Sequence, residues 1–196
     1  MDSGAAFRRA FHLASPIFLG YYLLPESVAP GITRVNVTLL FLGTAWCIEI
    51  GRISLGLRMF GMRTYEGQRV SAYAQGSVGL AFAVFIIQEP RIVVPVFVGM
   101  AWIDPLAALA RRSGWSIAVP GVAYASVFLF AILAVGNIVG LYPWFVAILF
   151  TTLATGTAML VEGPRIPSID DDLLMQVVPM VVLTGAGLGL GYAGLL

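Results

Sequence analysis

The sequence predicts an all-α protein, a polytopic transmembrane helical bundle of about seven spans with its N-terminus cytoplasmic. Three observations lead there. Apolar residues make up 59% of the chain and charged residues 11%, against roughly 25% charged in a soluble domain; the mean hydropathy is +0.92. Apolar runs near the length of about 20 residues that crosses a bilayer recur throughout, separated by short polar or Gly/Pro-containing breaks. The arginines, finally, gather in alternate breaks.

Taken in order, the expected spans are 11–29, 35–60, 70–88, 91–109, 117–136, 140–161 and 173–195. Arg8 and Arg9 precede the first, and Pro30-Gly31 closes it. Ser27-Val28-Ala29 has the small-residue look of a signal-peptidase site. Pro30 directly after it disfavours cleavage, so the first span is expected to be retained. The segment from Arg58 to Arg69 separates the second and third spans, and Glu89-Pro90-Arg91 makes a tight turn before the fourth. Arg111 to Gly114 ends the fourth, Gly136 to Pro143 separates the fifth and sixth, and Glu162 to Asp172 precedes the seventh. Gly185, Gly187, Gly189 and Gly191 lie inside an apolar helix, not between a strand and a helix, so they favour close helix packing over dinucleotide binding.

With the N-terminus inside, Arg8, Arg9, Arg58, Arg63, Arg69, Arg111, Arg112 and Arg165 fall on the inner side, and only Arg34 and Arg91 fall outside. That bias sets the expected orientation and places the chain in a membrane, with a prokaryotic plasma membrane as the expected location. Residues 1–196 are expected to form a single integral membrane domain. A net charge of +1 offers no nucleic-acid surface. A lone cysteine, Cys47, excludes an intrachain disulfide or thiolate cluster, and a lone histidine, His12, excludes a histidine metal cage.

Several ionisable residues sit where an apolar chain must account for them. Glu49 and Arg52 lie three residues apart near the inner end of the second span, on one helix face; they read either as a functional pair or as an ion pair that fixes packing. Asp104 precedes Pro105, which is expected to break or kink the fourth helix and free backbone groups beside a carboxylate. It reads as a cation or substrate site, or as a polar residue tolerated at a kink. Glu162 and Asp170-Asp171-Asp172 flank the last loop. One Asp suffices to cap a helix; three together suit a divalent cation such as Mg²⁺, or simply a solvated acidic loop. Arg8, Arg9 and His12 read as a topology-setting, lipid-touching cluster, with His12 as a proton shuttle the functional alternative, and Arg58, Arg63, Glu66 and Arg69 form a cytoplasmic patch that either sets topology or suits an anionic ligand. Together these groups are expected to meet at one membrane face, where a water-soluble nucleotide and a bilayer-resident lipid can meet. Metal-binding carboxylates with phosphate-neutralising arginines are the requirements of phosphoryl transfer.

At these residues the chain resembles the CTP-dependent polyprenol kinase family, which includes dolichol and phytol kinases. The resemblance runs through Arg8-Arg9-x-x-His12, Glu49-x-x-Arg52 with Arg63-x-x-Glu66 and Gly76, Asp104-Pro105-x-Ala107, and Glu162 followed by Asp170-Asp171-Asp172-Leu173. It implies a metal-dependent kinase that uses CTP, or another nucleotide, to phosphorylate an isoprenoid alcohol at the cytoplasmic interface. It further implies Asp104 and Asp170 to Asp172 as metal or nucleotide ligands and Arg52 and Arg63 as phosphate contacts. Glu49 would orient Arg52, and Glu162 would bind metal or position the hydroxyl. The family's Lys-Ser-x-Glu-Gly loop is degenerate here, with Arg111 or Arg112 standing in for the Lys charge. Two other functions remain on the same residues: a cytidylyltransferase that forms a CDP-lipid, and a non-catalytic lipid-binding or transport protein. Expected partners are an isoprenoid lipid, a nucleotide and membrane lipids; assembly of like chains is compatible with the sequence.

Overall fold

In the computed structural model, residues 3–62, 66–67, 69–162, 166 and 169–194 are described, without the side chains of Ala5, Asp104 and Tyr192. The described residues are all-α apart from one small hairpin. The helices are α1 (Ser3–Ala14), α2 (Arg34–Ser54), α3 (Ala72–Phe82), α4 (Pro90–Ser113), α5 (Ala118–Val139), α6 (Trp144–Val161) and α7 (Asp171–Tyr192). Five of them, α2 and α4 to α7, are long and apolar enough to cross a membrane.

The first expected span departs most from a regular helix. Its α-helix stops at Ala14, and Ser15–Leu23 continues as a 3-10 helix with Pro16 in its first turn. Proline removes a backbone donor, which the i→i+3 pattern at a helix junction accommodates. The strand β1 (Ser27–Ala29) then pairs antiparallel with β2 (Ile32–Thr33). Gly31 turns between them with φ +73°. Helix α2 starts in a capping box: Thr33 Oγ1 accepts from Asn36 N–H at 3.2 Å, and Asn36 Oδ1 accepts from Thr33 N–H at 3.0 Å. It ends at Ser54 instead of residue 60, because Gly56 turns the backbone left-handed at φ +64°.

Ser71 caps α3 by accepting from Ala74 N–H at 3.2 Å. A π-helical turn, Ala83–Ile87, extends α3, so its apolar stretch covers residues 72–87. Glu89 caps α4, Pro90 opens it, and Gly114 ends it at φ +65°. Of the break or kink expected at Asp104-Pro105, the break does not occur: α4 continues through both Pro95 and Pro105. A packed apolar helix tolerates internal proline where its surroundings hold the turn in place.

Helix α4 is the centre of the bundle. It packs on α1, α5, α7 and the 3-10 segment. Val93, Val96, Phe97 and Met100 meet Tyr124 and Phe128 of α5, Phe150 of α6, and Met180 and Leu183 of α7 in one buried cluster. Gly99 admits the Tyr124 ring, since a Cβ there would lie 2.9 Å from Tyr124 Cε2. The most apolar window of α4 is 59% buried and that of α2 only 17%, which makes α2 peripheral. Its outer face carries Leu40 at 73% exposure and Ile50 at 59%.

Candidate functional site

The polar groups of α2, its following loop, α3 and α7 form a connected knot. Arg52 donates to Glu49 through Nε and Nη2, both at 2.8 Å, a bidentate geometry. Its remaining donors reach the carbonyls of Glu66 at 3.2 Å and Arg69 at 2.6 Å. Glu49 in turn accepts from Ser71 N–H at 2.6 Å and Ser71 Oγ at 3.1 Å. Both residues of the pair are about fully buried, at 2% and 3% exposure. Helix spacing supplies the pair; the loop wrapping back over it supplies the rest of its hydrogen bonds. Gln75 carries the knot onward. Its Oε1 accepts from Asp170 N–H at 2.7 Å and its Nε2 donates to the Val70 carbonyl at 3.3 Å.

Beside this knot lies a cavity of about 480 Å³, within the range of small-molecule sites. Its walls are mainly apolar: Phe7, Phe11 and Phe18 from the first segment, Phe41, Ala45 and Ile48 from α2, Leu80 from α3, and Phe97 and Met100 from α4. The aromatic rings touch in sequence. Phe7 and Phe60 are 5.3 Å apart by centroid, Phe11 meets Tyr73 edge-on at 4.9 Å, and Phe18 meets Phe41 at 5.1 Å. Gly61 leaves room for Phe7, because a Cβ there would lie 2.9 Å from Phe7 Cδ1; its φ of +85° independently requires glycine.

Charged groups enter this apolar cavity from several elements. Arg8, Arg9 and His12 come from α1, Glu49 from α2, Glu66 from the following loop, and Asp172 from α7. His12 Nδ1 lies 3.5 Å from Asp172 Oδ2, which links α1 to the first turn of α7. Arg8 reaches the Gly61 carbonyl at 3.5 Å.

Of the residues expected to carry function, Arg9, His12, Glu49, Glu66 and Asp172 line the cavity. Pro105, the next residue of α4, lines it too; the Asp104 side chain is outside the described residues. Arg63 is also outside them. Arg52 sits in the knot instead of the lining. Glu162, at the end of α6, pairs with Arg111, and Arg112 is exposed. Neither member of the Arg111–Glu162 pair lines the cavity. Asp170, Asp171 and Asp172 each place one carboxylate oxygen within 4.8 Å of the others; Asp170 Oδ1 also caps α7 by accepting from Asp172 N–H at 3.2 Å.

Sequence reading missed Ser15, Ser71, Gln75 and Gln176. Ser71, directly before an apolar run, carries a cap signal. Gln176 stands one turn after Asp172 in an apolar helix, where a primary amide needs a partner. Gln75 carries the same signal in α3, but not the identity of its partners, which come from residues 70 and 170.

At the opposite end, Arg91 binds Glu89 at 2.8 Å, donates to the Gly140 carbonyl at 3.3 Å, and lies 4.1 Å from the Tyr142 ring centroid. Burial raises the Glu89 carboxyl's affinity for a proton, but the Arg91 hydrogen bonds outweigh it and hold the group below the usual range. This cluster staples the turn before α4 to the turn before α6.

Comparison of the chain with protein-family models, curated proteins and solved structures yields no match. The fold and the cavity define a helical protein with five helices long and apolar enough to cross a membrane and an amphipathic internal cavity.

Proposed function

We propose that this protein is a metal-dependent lipid kinase of the cytoplasmic membrane interface, transferring a phosphoryl group from CTP or a related nucleotide to an isoprenoid alcohol. The observation that carries this reading is the cavity: aromatic and aliphatic walls that match a branched hydrocarbon chain, with Arg8, Arg9, His12, Glu66 and Asp172 converging on it from three segments. In this reading the N-terminus is cytoplasmic, and the 3-10 segment and the 72–87 stretch complete seven spans. The greater rise of a 3-10 helix, about 2.0 Å per residue, lengthens the first of these.

The alcohol oxygen would form a bond to the γ-phosphorus as the bond from that phosphorus to the β-bridging oxygen breaks and CDP leaves. The hydroxyl proton passes to a carboxylate of the site. Arg8 and Arg9 are the cavity's own cations for the phosphate charge. Asp170, Asp171 and Asp172 form an all-oxygen donor set that fits Mg²⁺, with Asp104 as a further candidate; a bound Mg²⁺ would offset the charge of the nucleotide phosphates. Glu49 acts through the knot, which fixes the loop that carries Glu66.

The test supplies purified protein with CTP, Mg²⁺ and geranylgeraniol or a polyprenol. Phosphorylated lipid with release of CDP is expected. Release of pyrophosphate would identify a cytidylyltransferase acting on a lipid phosphate, and absence of any modified lipid with any nucleotide would overturn both reactions. One observation favours a second reading, a lipid-binding or transport protein without catalysis. Arg52 and Arg111, two of the expected phosphate contacts, are engaged by Glu49 and Glu162. That reading predicts lipid binding with no thermal shift on adding CTP or ATP, where a nucleotide at a hundred times its Kd would add about 2.7 kcal/mol.

A further inference from the structure

We propose that the cavity opens sideways into the hydrocarbon of the bilayer, through a slot between the first segment and α2. It then grips the head and the near units of a lipid whose remaining chain stays among the acyl chains. The inference rests on the reading of the cavity as a site for an isoprenoid alcohol, and it assigns the route of entry and the length of chain that the site reads.

The two sides of the cavity differ in exposure. Leu80 of α3 and Phe97 and Met100 of α4 line it at 4%, 3% and 1% exposure. Lining the cavity therefore leaves a side chain little accessible surface. Phe11 of α1, Ile48 of α2 and Phe60 of the following loop line the same cavity at 40%, 54% and 61%. The surface these three keep faces outward, so they form the rim of a mouth and not a closed wall. The rim is apolar, the composition of a membrane or ligand contact, and α2 on one side of it is long and apolar enough to cross a membrane.

The packing leaves room for a slot there. Helix α1 packs on α4 and α2 packs on α3, while two ring pairs, Phe7–Phe60 and Phe18–Phe41, bridge the first segment to α2 and its loop. Between these bridges the α2 edge is Ala45 and Ile48, which share a helix face with Phe41. From Phe41 to Glu49 the helix advances about 12 Å. The slot thus starts at the charged level of Arg8 and Glu49 and runs inward from it. The head stays at the charged level, where phosphoryl transfer is placed, and the chain leaves below it. A cavity of about 480 Å³ suits a drug-sized molecule, and a polyprenol is far longer than that. Most of its chain must lie outside. Leaving into water would expose that hydrocarbon group by group; leaving through an apolar slot into the bilayer exposes none of it.

The experiment measures binding of two alcohols to the full-length protein in lipid nanodiscs: geraniol, short enough to lie inside the cavity, and undecaprenol, which is not. Wild type is compared with Ile48→Trp and Ala45→Leu, which enlarge the α2 edge of the slot, and with Leu40→Trp on the outer face of the same helix. Comparing each alcohol between proteins cancels its partitioning into the bilayer. Ile48→Trp should weaken undecaprenol at least about tenfold and leave geraniol unchanged; Ala45→Leu should act the same way by a smaller factor, and Leu40→Trp should change neither. Retained geraniol binding shows that the variants are folded. Equal effects on both alcohols, the same loss in Leu40→Trp, or no effect on undecaprenol in any folded variant would overturn the slot while leaving the proposed function standing. Wild type that binds geraniol but not undecaprenol would overturn it as well. Binding of neither alcohol to wild type would overturn this inference and the proposed function together.

Discussion

Replacing Arg52 with alanine should destabilise the fold strongly. The change removes two 2.8 Å bonds to Glu49 and the bonds to the carbonyls of Glu66 and Arg69. It leaves a carboxylate at 2% exposure with only the Ser71 amide and hydroxyl. Removing one partner of a buried ion pair costs about 3–5 kcal/mol. For a chain of this length each 1 kcal/mol lowers Tm by roughly 2–4 °C, so a fall of about 6–20 °C is expected. The assay is thermal unfolding in detergent, read by the monodisperse fraction on size-exclusion chromatography after heating. Glu49→Gln combined with Arg52→Met removes both charges and should recover most of the loss, since a neutral pair is often as stable as a buried ionic one. An Arg52→Ala protein within about 2 °C of wild type would refute the reasoning, because a residue that serves only a ligand leaves the empty protein's stability intact.

Gly99→Val should lose about 1–3 kcal/mol in the same assay, the usual cost of overpacking, because its Cβ would lie 2.9 Å from the fully buried Tyr124 ring; a simultaneous Tyr124→Leu should restore part of it. Gly61→Ala should lose more than about 1 kcal/mol, since the backbone is left-handed there and the new methyl meets Phe7; unchanged stability would remove the steric argument for the Phe7 wall. The Glu89 carboxyl is held low in the folded state, so its contribution is complete above the unfolded carboxylate range and disappears as pH falls through the lowered folded value. Glu89→Gln should therefore be less stable than wild type at neutral pH by about 0.2–1 kcal/mol, the scale of a partly exposed pair, and the two proteins should converge in acid. A constant difference across a pH series of melting curves would contradict this sign.

Much of the bundle is legible in composition and breakers. Runs ending at Gly114, Gly140 and the acidic stretch before α7 mark their own boundaries, because glycine and proline act locally. The junction at Ser15 and the continuation of α4 through Pro105 are not legible. In both, neighbouring helices decide whether a proline breaks a turn or is absorbed. The meeting of His12, Glu49, Glu66 and Asp172 around one cavity follows from expecting polar groups at one face. The separation of Arg111 and Glu162 from that cavity does not, since spans say which end of a helix a residue occupies but not the side it faces. The knot around Arg52 depends on backbone carbonyls of the 66–69 loop, and carbonyls carry no residue identity to read.

The peripheral placement of α2 makes its attachment depend on the surrounding solvent. In water, lifting an apolar helix off its neighbours costs about 25 cal/mol for each Å² exposed. Among acyl chains the same separation trades one hydrocarbon contact for another, and that driving force vanishes. What then resists separation are the two tethered ends: Glu49 and Arg52 at one, and Arg34, whose amide donates to the Glu26 carbonyl and whose guanidinium lies over the Tyr21 ring, at the other. The middle, through Phe41 and Ala45, has only packing to hold it, and that middle is what walls the cavity. The helix is thus pinned like a beam at both ends, with its unsupported span facing the site.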